Sequence, residues 1–166
     1  MTEPVWLLER AALAAHVRVL NEHGGRRFGC DLVRLAMALA LPKSAYHLAG
    51  GRSSVLVLAT AYAWGIGRMR PFSEANAATA CLLAMTFLRV NGVDLPAPAA
   101  EKYAVFSGLA RGALDPDAVV HWMKTRRIAN ARGTTVIGVR LRNRRVTNLT
   151  VLKNPNPAKP PQLGHR

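Results

Sequence analysis

The residues with most chemical content fall together in one short stretch, Arg68 to Ala78. A loop holding Pro71 and Phe72 leads there directly into the most apolar segment of the chain. A helix that starts inside a core presents unsatisfied backbone N–H groups and the positive end of its dipole, which makes a ready anion site. Ala75 and Ala77 keep the approach clear of side chains, and Asn76 offers an amide beside it. Glu74 is a lone carboxylate at that point, of a kind that holds a divalent cation bridging phosphates. It serves equally well as a first-turn carboxylate complementing the helix dipole, an effect of about 0.3–1 kcal/mol. Asn76 is likewise either a phosphate contact or a helix cap. Arg70 is either an anion-binding residue or a solvated loop arginine. Phe72 is expected to plug the loop into the core.

The elements that must position this stretch read as helices. Glu3 and Pro4 open a first helix expected to run to about Asn21, with Trp6, Leu13, Val17 and Leu20 on one face and Gly24-Gly25 ending it. Asp31 is a natural N-cap for a second helix, expected to stop at Leu41 before Pro42. Ser53 or Ser54 caps a third, which contains Gly65 and Gly67. The fourth, from about Asn76 to Val90, is apolar nearly all round and so belongs at the centre of a bundle; Asn91-Gly92 stops it. Two short helices are expected over Ala97–Arg111 and Ala118–Ile128, started by Pro98 and by Asp115-Pro116-Asp117. The fold class is therefore all-α, a bundle of about six helices over residues 1–129.

Residues 130–166 form a basic, Pro-rich tail. Thr134 to Leu141 and Val146 to Leu152 alternate β-branched residues and are candidate short strands. The end, from Asn154 through Pro160-Pro161, has a composition that favours disorder.

Composition limits the function classes. The chain has 166 residues, half of them hydrophobic, enough for one packed domain. Its net charge is +14, but all nine acids precede residue 130, whereas the tail holds eight bases and no acid. Arg140, Arg142, Arg144 and Arg145 would attract phosphate by counterion release. The tail has no aromatic residue to stack bases and no recognition-helix signature, which weighs against a nucleic-acid partner. Cys30 and Cys81 lack metal or redox spacing, and Cys81 is expected to pack as a small hydrophobe. No apolar run approaches the roughly 18–20 residues that cross a bilayer, so a cytoplasmic protein without a membrane partner is expected.

Arg70-Pro71-Phe72-Ser73-Glu74-Ala75-Asn76-Ala77-Ala78 resembles the Fic/Doc signature H-x-F-x-[DE]-[AG]-N-[KG]-R. Glu22-His23-Gly24-Gly25, Ala61-Tyr62-Ala63-Trp64-Gly65-Ile66 and Phe87-Leu88-Arg89-Val90-Asn91-Gly92-Val93 are similar to the Doc branch, the death-on-curing toxins, so that the resemblance covers about residues 5 to 128. It implies a Fic/Doc-like helical domain, with ATP and magnesium as cofactors. Phe72 would be the motif anchor, Glu74 the magnesium ligand, and Ala75, Asn76, Ala77 and Ala78 the phosphate-binding stretch. Three positions depart from the pattern. Arg70 stands in place of the catalytic histidine, and arginine, with a pKa above about 12, is no base. Loss of a general base costs about two to four orders of magnitude in rate. Ala77 and Ala78 replace the lysine and the phosphate-clamping arginine, where charge stabilisation matters most.

Three functional readings follow. By lineage the chain is a Doc-like toxin of a type II toxin-antitoxin system, transferring a phosphoryl group or AMP from ATP to a hydroxyl on a protein of the translation machinery, with impaired catalysis. Arg68 or Arg70 would then stand in for the clamp, or His23 or His47 for the base. The second reading is a pseudoenzyme that acts by binding an antitoxin or another protein. A basic nucleic-acid-binding helical protein is the weakest.

Overall fold

Six helices make up the regular structure of residues 3–25 and 29–126, the part of the chain that the computed structural model describes. They are α1 (Glu9–His23), α2 (Leu32–Leu48), α3 (Val55–Met69), α4 (Asn76–Val90), α5 (Ala99–Ala110) and α6, whose described part is 116–126. The chain divides into two units, Met1–Ile128 and Ala129–Arg166, and all six helices belong to the first. The candidate strands at 134–141 and 146–152 and the tail arginines lie outside the described residues. Among the described residues there is no strand, only an isolated antiparallel bridge between Cys30 and Phe72.

Two apolar helices share the centre. α4 packs against α1, α3 and α5, as its lack of a polar face requires, and α3 packs against α2, α4 and α5. Tyr62 of α3 and Phe87 of α4 are fully buried with ring centroids 4.8 Å apart. α6 closes over α5: the Trp122 indole N–H and the Arg126 guanidinium both donate to Glu101 Oε1, and Trp122 meets the Phe106 ring edge-on.

The first helix differs from expectation at its start and in its face. Residues 3–8 are not helical; α1 begins at Glu9, with Leu8 at its N-cap. The arm is held instead by tertiary bonds. Asn91 accepts from Val5 N (2.8 Å) and donates to Val5 O (3.1 Å), and Leu7 N donates to the Tyr62 hydroxyl (3.1 Å). Trp6 packs between Tyr46 and Phe87. The buried side of α1 is Ala12, Ala15, His16, Val19 and Leu20; Leu20 and the partly buried Leu13 pack on the core as expected, whereas Val17 is exposed.

α2 starts as expected, with Asp31 accepting from Arg34 N at 3.0 Å, but it does not stop at Pro42. It continues to Leu48 with a buried Pro42 inside. Proline has no N–H to give the carbonyl four residues back, which here is Ala38. That carbonyl faces Gly65 of α3, where an added Cβ would lie 2.7 Å from Ala38 O. The place of the missing intrahelical bond is thereby used for close helix approach.

The remaining ends agree with the sequence. Ser54 caps α3 through Val57 N. α4 spans the expected residues and ends at Asn91-Gly92, with Val93 N bonded back to Leu88 O at 2.8 Å. α5 is slightly shorter than expected, with Pro98 at its N-cap. Asp115 accepts from Asp117 N to start α6.

Candidate functional site

The loop between α3 and α4 is fixed at both ends by residues in the left-handed region. Arg70, the C-cap of α3, has φ 46°, and Ala75, the N-cap of α4, has φ 56°. No other non-glycine residue among those described has positive φ. The geometry disfavours L side chains by roughly 1–2 kcal/mol per residue, so the surroundings must hold it. Asp31 N donates to Pro71 O (2.8 Å) and Ser73 N donates to Gly29 O (3.0 Å), stapling the loop to residues 29–31.

Asn76 supplies the second constraint. Its Oδ1 accepts from Phe72 N at 3.1 Å and its Nδ2 donates to Phe72 O at 2.7 Å, so both ends of the amide close the turn of its own loop. Phe72 is buried, as expected of a residue that plugs the loop into the core, and its ring stacks on the imidazole of His16 with centroids 4.0 Å apart.

His16 is the residue that sequence reasoning missed. It is fully buried on α1 and shares a 3.1 Å hydrogen bond between its Nδ1 and Thr79 Oγ1 on α4. Burial pushes its pKa below 6.5, against a smaller upward pull from the Glu74 carboxylate. The available signal was its spacing with Ala12, Ala15, Val19 and Leu20, which puts an imidazole on the apolar side of a helix. His23 and His47, weighed as substitute bases, are both exposed and do not line the loop's cleft.

An open cleft of about 500 Å³ lies over the loop and the start of α4. It is lined by Gly67, Arg68, Arg70, Glu74, Ala75, Asn76 and Ala77, together with Ala110 and Arg111 from the end of α5. Of the expected stretch, Ala78 is not in the lining; it sits half-buried in the first turn of α4. Ala75 contributes no side-chain cap, so the α4 N-terminus is uncapped on that side. Arg68 lies with its guanidinium carbon 4.9 Å from the Trp64 ring centroid. No ion pair engages Arg68, Arg70 or Arg111 among the described residues.

Among the described residues Glu74 is the one carboxylate of the lining, and its Oε1 is close to the end of α1, 3.1 Å from where a Gly25 Cβ would lie. Among the described residues no group of three or more His, Cys, Asp or Glu is placed to hold a metal ion. One carboxylate among three guanidiniums does not hold a divalent cation by itself; an ion there would depend on ligand phosphates for its remaining oxygens. Among the described residues the charged groups of the lining are predominantly cationic.

Cys30 and Cys81 are both free and partly buried. Burial raises the Cys81 thiol to about 11 and also raises Cys30, so both stay protonated and unreactive near neutral pH. No helix among the described residues is long and apolar enough to cross a membrane. No protein-family model matches the chain, and no curated protein matches it.

Proposed function

We propose that the chain is a Fic/Doc-type scaffold of the Doc toxin lineage that binds a phosphate-bearing ligand such as ATP, with impaired transfer of its phosphoryl or AMP group, and acts by contact with a protein partner. The observation that carries this reading is the composition of the cleft. Among the described residues three arginines and one carboxylate line the cleft at the start of an apolar helix, at the signature whose resemblance implies nucleotide binding. Arginine–phosphate pairs are strong, frequently bidentate contacts, so the cleft is suited to binding.

Transfer has less support. The position that the resemblance gives to the general base holds an arginine, Arg70, a residue type that does not serve as a base. Ala77 and Ala78 bring no charge to a phosphoryl group in flight. A scaffold that retains a ligand cleft without these groups is suited to presenting a surface, and an antitoxin is the partner that the lineage implies.

The reading is tested by calorimetry with ATP and Mg²⁺ and by a phosphoryl- and AMP-transfer assay, comparing the natural chain with the triple variant Arg70→His, Ala77→Lys, Ala78→Arg. The natural chain is expected to bind ATP and transfer nothing measurable. The triple variant is expected to gain turnover by at least about a hundredfold, the scale of one general base. Turnover by the natural chain equal to that of the variant would refute the scaffold reading.

A further inference from the structure

Arg111 belongs to no part of the signature, yet it lines the same cleft as Arg68 and Arg70. Its placement is built into the packing of α3 on α5. A Cβ at Gly67 would lie 2.3 Å from Ala110 O and 2.4 Å from Ala110 Cα, so only glycine lets the two helices approach this closely. The contact sets the residue after Ala110 beside the end of α3. The α5 terminus is itself pinned: Arg111 N donates to Ser107 O (3.0 Å), Gly112 N to Leu109 O (2.9 Å) and Ala113 N to Gly108 O (2.8 Å). Arg111 therefore projects from a fixed backbone.

The charge balance of the cleft decides what it takes. Among the described residues the lining offers one carboxylate against three guanidiniums, and that carboxylate also lies against the end of α1 and acts on His16. The surplus positive charge matches a compact anion with two or more charges. Three planar donor groups, each with five N–H bonds, match the oxygens of linked phosphates better than a single carboxylate. A divalent cation, by contrast, meets one oxygen ligand and net repulsion.

We infer that the cleft binds a di- or triphosphate through Arg68, Arg70 and Arg111, with Arg111 as the clamp and with guanidinium charge doing what a divalent cation would otherwise do. The inference rests on the phosphate-binding part of the reading above and goes beyond it in the residue and in the independence from metal. Alanine at 77 and 78 leaves no cation on the first turn of α4 itself; Arg111 supplies one from the facing helix.

The test is calorimetry of the full chain with inorganic pyrophosphate and with ATP, each in EDTA and in excess Mg²⁺. Both probes are expected to bind in EDTA, with no gain in affinity from Mg²⁺. Arg111→Ala should weaken both by about tenfold or more, as loss of a charged hydrogen-bonding group does, and Arg111→Lys by less. Arg89→Ala removes the same charge from the exposed far end of α4 and should change affinity by less than about twofold. Binding that requires Mg²⁺, or that survives Arg111→Ala, overturns the inference; ATP binding in that case leaves the scaffold reading standing. Pyrophosphate binding without ATP binding removes the nucleotide from the scaffold reading and keeps Arg111 as the clamp. Failure of both probes to bind removes both.

Discussion

At the scale of single residues, the site is held in a conformation that its side chains disfavour. Arg70 and Ala75 carry φ values of 46° and 56°, where glycine would sit without strain. Strain of this kind persists where surrounding structure over-determines it, and it collects at functional sites. Arg70→Gly is accordingly expected to stabilise the fold by up to about 1 kcal/mol while weakening pyrophosphate binding, a trade of affinity for stability. Thermal melts and calorimetry on the same variant check both halves; a destabilised Arg70→Gly would show that the arginine side chain contributes more to the fold than the αL conformation costs. His16 gives a second residue-scale expectation. Its pKa is depressed below 6.5 in the folded chain, so the unfolded chain binds the proton more readily. Stability is then complete above that value and falls as pH drops below it. The melting temperature should decrease between about pH 7.5 and pH 5, and His16→Gln, which does not titrate, should show a smaller decrease across the same window. Parallel decreases in the two proteins would remove His16 as the cause.

At the scale of elements, two glycines of α3 set the architecture around the cleft. Gly65 meets the Ala38 carbonyl that Pro42 leaves without its helical donor, and Gly67 meets the Ala110 carbonyl at the end of α5. A Gly67→Ala methyl would collide with backbone, which cannot swing aside as a side chain would. Overpacking of this kind costs about 1–3 kcal/mol. A circular-dichroism melt should show the loss, and the variant should also bind pyrophosphate less well because Arg111 moves with α5. A variant as stable as the natural chain, with unchanged affinity, would mean that the helices part without consequence. These contacts explain what the sequence could and could not disclose. Helix ends with a local cause were legible: the Asp31 and Ser54 caps, the Asn91-Gly92 stop and the Pro98 start all follow from neighbouring residues. Pro42 misled because the Ala38 carbonyl that it leaves without a donor faces Gly65, 27 residues further on, a contact without local trace. The loop around Phe72 was legible as a unit, whereas Arg111 and His16 reach it from helices that only the tertiary packing brings near. Asn76 showed its place but not its work, since both ends of its amide turn back onto Phe72.

At the scale of the whole described unit, the N-terminal arm joins positions far apart in the chain. Asn91 holds both backbone groups of Val5, a separation of 86 residues, and the Tyr62 hydroxyl holds Leu7 across 55. Asn91 also donates to Phe87 O, so one amide ties the arm to the end of the central helix. Asn91→Ala removes these bonds together and is expected to cost about 1–3 kcal/mol, readable in urea denaturation. An unchanged midpoint would show that Trp6, between Tyr46 and Phe87, anchors the arm without help. The same arrangement has a kinetic side. Contacts between neighbouring helices form early in a helical chain, while contacts of high sequence separation carry a larger closure entropy. The arm has no helical bonds of its own and docks on surfaces that α3 and α4 must first create. Its amides are therefore the last to acquire protection as the chain folds and the first to lose it when the chain opens. In a hydrogen-exchange experiment Val5 and Leu7 should report openings in which the remainder of the bundle stays closed.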